Sequence, residues 1–525
     1  MQNQTRPNPY SITDNTPIII GSGQYTERIK PQLLPPYNSP MALAAIASQN
    51  AINDSGIPSL AEHIDTIAVT RLFSDSTSHW PSPYGRSDNP PQSVAVRIGA
   101  QPSERIYSEV GGTQPLQLLI EMSHDIARGE KTLVLLTGAE AIGYEKLHRR
   151  KGVIDNWNET FTEPLDDRGF GERMAAPQEI DNGLMLPIFY YSLIENQRAY
   201  LQGHDAQQHR SAMAQLLANL SSVAAKNKYA HSRKNHTFDD LILQNRDNYL
   251  LSQPYSKKFV SQDNVNQAAA ILVTSVGKAK ALGIASKHWI FIDGFAQAND
   301  HFLSQRPSLA KSAAMEATLK NCLSMANKTI DTIDIVDLYS CFPCAVTAAC
   351  ETLQLPMDAS NKATITGGLP FFGGPGNNYS MHAIAEASSH LKRQKSSALI
   401  TANGGMLSKH AAVILSGYCN NKTLTIDWQH SEATSLPASQ FPAKPFCANP
   451  ESGSVLSHTI KYVRNGMDEV IIIAETINGE RFVAHSNDPS TVTAVEIASP
   501  IHRQVAVTQT TQNKTYSNHF SFISG

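Results

Sequence analysis

The chain has almost no excess of charge: 43 basic residues stand against 46 acidic ones in 525, a formal net charge of −3. Such a balance supplies no broad field to hold nucleic acid or an anionic membrane, so an anionic ligand must be met by a local patch. Long apolar runs are also missing, and the opening "MQNQTRPNPYSITDN" has neither a basic start nor an apolar core. These absences lead us to expect a cytosolic protein without a membrane or nucleic-acid partner. Cysteine is scarce: there are six, with Cys341, Cys344 and Cys350 crowded in "SCFPCAVTAAC". That usage makes no disulfide framework and offers no second pair at zinc-ligand spacing, so no metal is expected. The C-x-x-C at Cys341 and Cys344 reads as a strand end turning into a helix, which leaves a thioredoxin-like role resting on a weak motif. "GSGQY" near Gly21 lacks the spacing and downstream acid of a dinucleotide site.

What is present is an ordered alternation. "PIIIGSGQY" is a short β-branched run, and "SPMALAAIASQNAINDSGI" follows with helical spacing, a Ser-Pro start and Gly56 as a stop. "IDTIAVTRL" reads as a buried strand, "VAVRIGA" as a helix, "ERIYSEVGG" as a strand, Pro115 to Arg128 as a helix and "KTLVLLTGAEA" as another buried strand. The order recurs downstream. "WIFIDGFAQ" and "SLAKSAAMEATLKNCLSMAN" repeat strand and helix, and "IDTIDIVDLYSCF" echoes "IDTIAV". "MHAIAEASSHLKRQKSSALITANGG" then reproduces the helix, basic tip, strand and glycine of "LQLLIEMSHDIARGEKTLVLLTGAE". Agreement of order across four elements implies two halves of one α/β/α architecture.

A polar region carries the helix pair "LIENQRAYLQG" and "SAMAQLLANLSSVAAKN" between the halves, and "QAAAILVTSVG" reads as a strand returning to the first half. Beyond Cys419, "SVLSHTIKYV", "DEVIIIAETINGERFVAHS", "STVTAVEIASP" and "QVAVTQTTQ" read as short alternating strands, with an Asn-Gly hairpin signal at Asn478 and Gly479. They predict a small all-β appendage, a barrel. The resulting boundaries are 1–142 for the first half, completed by 266–283; 143–265 for an inserted loop domain; 284–420 for the second half; and 421–525 for the β-domain.

The duplicated halves, the intervening loop domain and the order of the glycine loops resemble the thiolase superfamily, near its sterol carrier protein-x branch. The resemblance spans Pro17 to Tyr418, and the added β-domain is similar to that of thiolase-like proteins of type 1, commonly labelled acetyl-CoA acetyltransferases. It implies a duplicated α/β/α layered fold, acyl-CoA or CoA as ligand or substrate, no further cofactor, and a monomer or homodimer. The family's chemistry needs a cysteine thiolate to accept the acyl group, a histidine to activate it, and a second cysteine to move a proton at the α-carbon.

Against that pattern the chain departs. Gly111 in "SEVGGTQPLQ" stands where the nucleophile belongs, and Gly374 in "FGGPGNN" takes the activating histidine's place. Tyr339 and Ser340 in "YSCF" replace a polar pair while Cys341 is kept, and Thr401 in "TANGGML" falls near the second cysteine's place. The stretch "GGLPFFGGPGNNYSMH" holds five glycines, which resemble a floor for a pantetheine arm. Candidate catalytic residues are therefore Cys341, His382 and His410. Candidate acyl-CoA contacts are Gly367, Gly368, Gly374, Asn378, Asn403, Gly404, Gly405 and Ser261, with Lys257, Lys258, Arg198 or Arg210 for the CoA phosphates. The implied function is acyl-CoA binding, with acyltransferase activity through a non-standard site, or else a silent acyl-CoA-binding or complex-forming module.

Overall fold

The structure, a computed structural model, describes residues 12–29, 36–77, 81–153, 155–356, 362–419, 426–428, 435–463, 467–512 and 515–523. The opening segment, read above for a leader, lies outside the described residues up to position 11. In chain order the strands of the main sheet are β1 (Pro17–Thr26), β2 (Thr66–Val69), β3 (Glu104–Tyr107), β4 (Leu133–Glu140) and β5 (Asp166–Asp167). A separate hairpin, β6 (Leu250–Ser252) and β7 (Tyr255–Ser256), precedes β8 (Gln267–Ser275), β9 (Ile290–Asn299), β10 (Ile335–Asp337), β11 (Ser397–Gly404) and β12 (Lys409–Ser416).

The sheet runs β10-β11-β12-β9-β1-β8-β4-β2-β3-β5. Outward from its middle, β1, β8, β4 and β2 pair antiparallel, antiparallel and parallel; β9, β12, β11 and β10 do the same. The echoing segments "IDTIAV" and "IDTIDIVD" thus end in equivalent strands, β2 and β10. The halves meet at a short seam, Ile18 opposite Phe291 and Ile19 opposite Ile290. Helices Gln114–Arg128 and Tyr379–Leu391 each touch strands of both halves, while Pro40–Ser55 covers β1, β8 and β4 from outside and Ala313–Met325 covers β9 and β12. The outcome is five layers, helix and sheet alternating. Every residue of β4, β11 and β12 is buried, and β4, held between helices Pro40–Ser55 and Gln114–Arg128, reads as a continuous apolar run for that reason.

Local signals account for the ends. Ser39 caps Pro40–Ser55 by accepting from the Ala42 amide at 3.2 Å, and Gly56 ends that helix at φ 81°. In the inserted region, helices Pro187–Leu201 and Ala206–Ala224 lie as expected, the second opened by a reciprocal cap between Asp205 and Gln208. β5, also from this region, pairs with β3 and covers the edge of the first half.

The C-terminal strands are β13 (Ser452–Lys461), β14 (Glu469–Glu475), β15 (Arg481–Ser486), β16 (Gln504–Gln512) and β17 (Thr515–Phe522). β13 pairs with both β14 and β16, so the five close into a barrel. Two expectations are corrected here. "STVTAVEIASP" lies in a helix, Pro489–Ile497, because Asp488 accepts from the Thr491 amide at 2.8 Å and Pro489 opens the first turn; cap chemistry outweighs β-branched propensity. Nor is the barrel an appendage. Alternation along β14 and β15 sends Ile472, Ala474 and Ala484 inward, while Ile471, Ile473 and Val483 join the main core. The β6–β7 hairpin also adds to β13, with Ser252 opposite Lys461.

Candidate active site

A cavity of about 470 Å³ opens beyond the carboxyl ends of β2, β3, β10 and β11. Each of those strands feeds it a turn: Phe73 and Ser76 after β2, Val110 to Gly112 after β3, Tyr339 to Phe342 after β10 apart from Ser340, and Asn403 to Met406 at the end of β11. The inserted region closes the other side with Met174, Leu186, Tyr191 and Ser261, and the glycine-rich stretch adds Leu369, Gly374, Gly376 and Asn377. Parallel strands that end together leave such a crevice, and loops fill its rim.

Of the candidates, Cys341, Ser261, Gly374, Asn403, Gly404 and Gly405 lie on this wall. Cys341 precedes helix Pro343–Leu353, and its carbonyl accepts from the Ser261 amide at 3.1 Å. Burial pushes its thiol up to about 12, partly offset by the neighbouring Tyr191 hydroxyl. That hydroxyl in turn accepts from the Leu407 amide at 3.1 Å. A thiol held protonated donates hydrogen; it does not attack.

Gly367, Gly368, Asn378, His382 and His410 are not on the wall, and each has an engagement elsewhere. A Cβ at Gly367 would fall 2.4 Å from the Ala224 backbone, and one at Gly368 2.9 Å from Ser340 Oγ; these glycines allow close chain packing. Asn378 donates to the Gly138 carbonyl at 2.7 Å, and its neighbour Asn377 takes the place on the wall. His382 is fully buried in the central helix layer, 2.9 Å from Gln24 Oε1 and edge-on to Phe372, and burial pushes it down to about 3. His410 lies behind Asn403, with Nδ1 3.0 Å from the Asn403 side chain. Among the proposed phosphate contacts, Arg198 is buried and pairs with Glu351 at 2.5 Å. Arg210 bonds the Ile242 carbonyl and lies over the Phe259 ring.

The two positions read from the sequence as substituted, Gly374 and Gly111, differ in kind. A Cβ at Gly374 would stand 2.0 Å from Ser261 Oγ, so the serine fills the space in which a side chain at 374 would begin. Gly111 has room, its nearest neighbour being Thr113 Oγ1 at 3.5 Å, but its φ of 145° suits glycine. Beside it, a Cβ at Gly112 would fall 2.4 Å from the Tyr339 hydroxyl. Tyr191 and Asn377 carried no sequence signal, since no motif surrounds the first and its neighbour competes with the second. Among the described residues no three His, Cys, Asp or Glu side chains converge for a metal.

No protein-family profile matches the chain, and no curated protein does. Solved structures do. A monomeric SCP2-thiolase-like protein type 1 from Mycobacterium smegmatis superposes with a TM-score of 0.79 at 30% identity, over 98% of this chain and 100% of that one. The chain belongs to the SCP2-thiolase-like proteins of type 1. Human mitochondrial 3-ketoacyl-CoA thiolase (TM-score 0.52, 16% identity) and acetyl-CoA acetyltransferase from Syntrophomonas wolfei (0.52, 14%) share the fold. Each covers 76% of this chain and 98% of its own length, so about a quarter of this type 1 protein has no counterpart in them.

Proposed function

We propose that the protein binds an acyl-CoA thioester in the 470 Å³ cavity without passing the acyl group through an enzyme thiol. The observation that carries the reading is the Ser261 hydroxyl in the space a side chain at 374 would need, on the wall of an otherwise open cavity. A thiolase of this fold has been solved in complex with CoA, which supports CoA as the carrier. The Cys341 thiol is the proton donor of the site, and any acyl transfer there would pass the acyl group from CoA directly to an acceptor other than a second acetyl-CoA, with CoA leaving as its thiol and no acyl-enzyme formed. The second reading, a binding module without turnover, is favoured by the burial of His382 and His410 off the wall.

Two finer features belong to the same reading. The protein acts as a monomer: β5 already pairs with the first-half edge strand, and the Mycobacterium smegmatis relative is described as monomeric. It works in the cytosol, where six free thiols suit a reducing compartment; no described helix is long and apolar enough to cross a membrane.

Calorimetric titration with CoA and acetyl-CoA tests binding; absence of saturable heat up to about 1 mM ligand sinks the reading. Thiolysis of acetoacetyl-CoA is expected to stay at background, because a nucleophile and its base act as a unit and both are missing.

A further inference from the structure

Behind the cavity wall runs a buried chain of polar groups, Asp300, Ser312, His410 and Asn403. Asp300 Oδ2 accepts from the Ser312 hydroxyl at 2.7 Å, which uses the serine's one hydrogen. His410 Nε2 lies 3.0 Å from that same Ser312 oxygen and 3.1 Å from the Leu407 carbonyl. A carbonyl can only accept, so Nε2 carries the hydrogen. Burial pushes His410 down to about 4 against the pull of Asp300, so near neutral pH the ring holds one proton and Nδ1 is bare. The Asn403 amide meets Nδ1 at 3.0 Å through the atom placed as Oδ1. An amide's oxygen and nitrogen are told apart by their partners, and a bare nitrogen needs a donor. The NH₂ of Asn403 therefore faces His410, and its oxygen is turned away.

Asn403 is part of the cavity wall, and the amide atom turned away from His410 has no protein partner among the described residues. Among the lining residues Phe73 (42% exposed) and Leu186 (38%) lie on the open side of the cavity, whereas Asn403 (6%) and Tyr339 (7%) belong to its buried side. A thioester entering acyl-first would bring its acyl chain to that buried side.

We propose that the Asn403 side-chain oxygen accepts a hydrogen bond from a hydroxyl on the bound acyl chain, so that the cavity takes hydroxyacyl thioesters in preference to their oxo counterparts. The proposal rests on the acyl-CoA reading above and names its substrate class. His410 is a positioning residue: it fixes which end of the Asn403 amide the ligand meets. An oxo group would set two desolvated acceptors face to face, whereas a hydroxyl satisfies the oxygen.

Two measurements decide it. In ¹⁵N-histidine-labelled protein without ligand, the His410 ring, identified by its loss in His410→Gln or its shift in Asn403→Leu, is expected protonated at Nε2 and bare at Nδ1 at neutral pH. A ring protonated at Nδ1 overturns the proposal whether or not CoA binds. In calorimetry with CoA, 3-hydroxybutyryl-CoA and acetoacetyl-CoA, the hydroxy ester is expected to bind roughly tenfold tighter than the oxo ester, with the ratio falling to about one in Asn403→Leu. Equal affinities for the two esters with CoA bound normally, or a ratio unchanged in Asn403→Leu, overturn the proposal and leave the acyl-CoA reading standing. Failure of CoA and both esters to bind overturns both.

Discussion

The role proposed for Cys341 can be tested at the residue itself. With its thiol near 12, the thiolate fraction rises about tenfold per pH unit at lower pH. Alkylation by iodoacetamide, followed at Cys341 by mass spectrometry, should therefore climb steadily from about pH 7 to about pH 10 and slow when acetyl-CoA is added. A plateau below pH 9 would show a thiolate far more stable than this site allows. Gly374 gives a second test. Gly374→Ala should lower stability by up to about 1 kcal/mol, because the Ser261 hydroxyl must turn to another rotamer to clear the new methyl, and Ser261→Gly should recover most of the loss in the double variant. Additive changes in denaturant midpoints would mean that the two residues do not share the space. The glycines themselves were legible in the sequence; their reason was not. Gly374 accommodates Ser261 and Gly367 accommodates Ala224, partners far away in the chain that no local pattern reveals.

At the scale of elements, the strands and helices of the two halves were readable because burial on both faces leaves long apolar runs, and because "IDTI" runs into β2 in the first half and leads up to β10 in the second. The same burial hid the histidine. Helix Tyr379–Leu391 lies between the half-sheets, so its first turn has no open face, and His382 near a glycine loop looked available when it is enclosed. The helix Pro489–Ile497 was misread for the opposite reason, as its Val and Thr content suits a strand while Asp488 dictates a helix start. Asp488→Ala should cost about 1 kcal/mol, visible as a lower thermal midpoint, since Asp488 accepts from the Thr491 amide. An unchanged midpoint would show that the barrel alone holds the helix in place.

Across the whole molecule, barrel and layered core should unfold together. Ile471, Ile473 and Val483 pack into the main core, Ser457 donates to the Leu193 carbonyl at 2.6 Å, and Asn196 donates to that of His458 at 2.7 Å. A chain ending at residue 420 should expose that apolar face and aggregate, and the intact protein should show one calorimetric transition; two separated transitions would contradict it. Acid should weaken the fold as well. Burial holds His382 near 3 and His410 and His458 near 4, below their unfolded value, so the unfolded chain binds the extra protons. Their contribution is fully present above about pH 6.5 and is lost as pH falls toward about 4. A thermal midpoint flat across that window would count against their burial. The hairpin Leu250–Ser256 adds a quieter consequence: it is stitched to β13, and Ser261 follows it within a few residues on the way to the cavity. Whatever grips or displaces the barrel from outside therefore pulls on one wall of the cavity, as a hand on a tent pole moves the canvas.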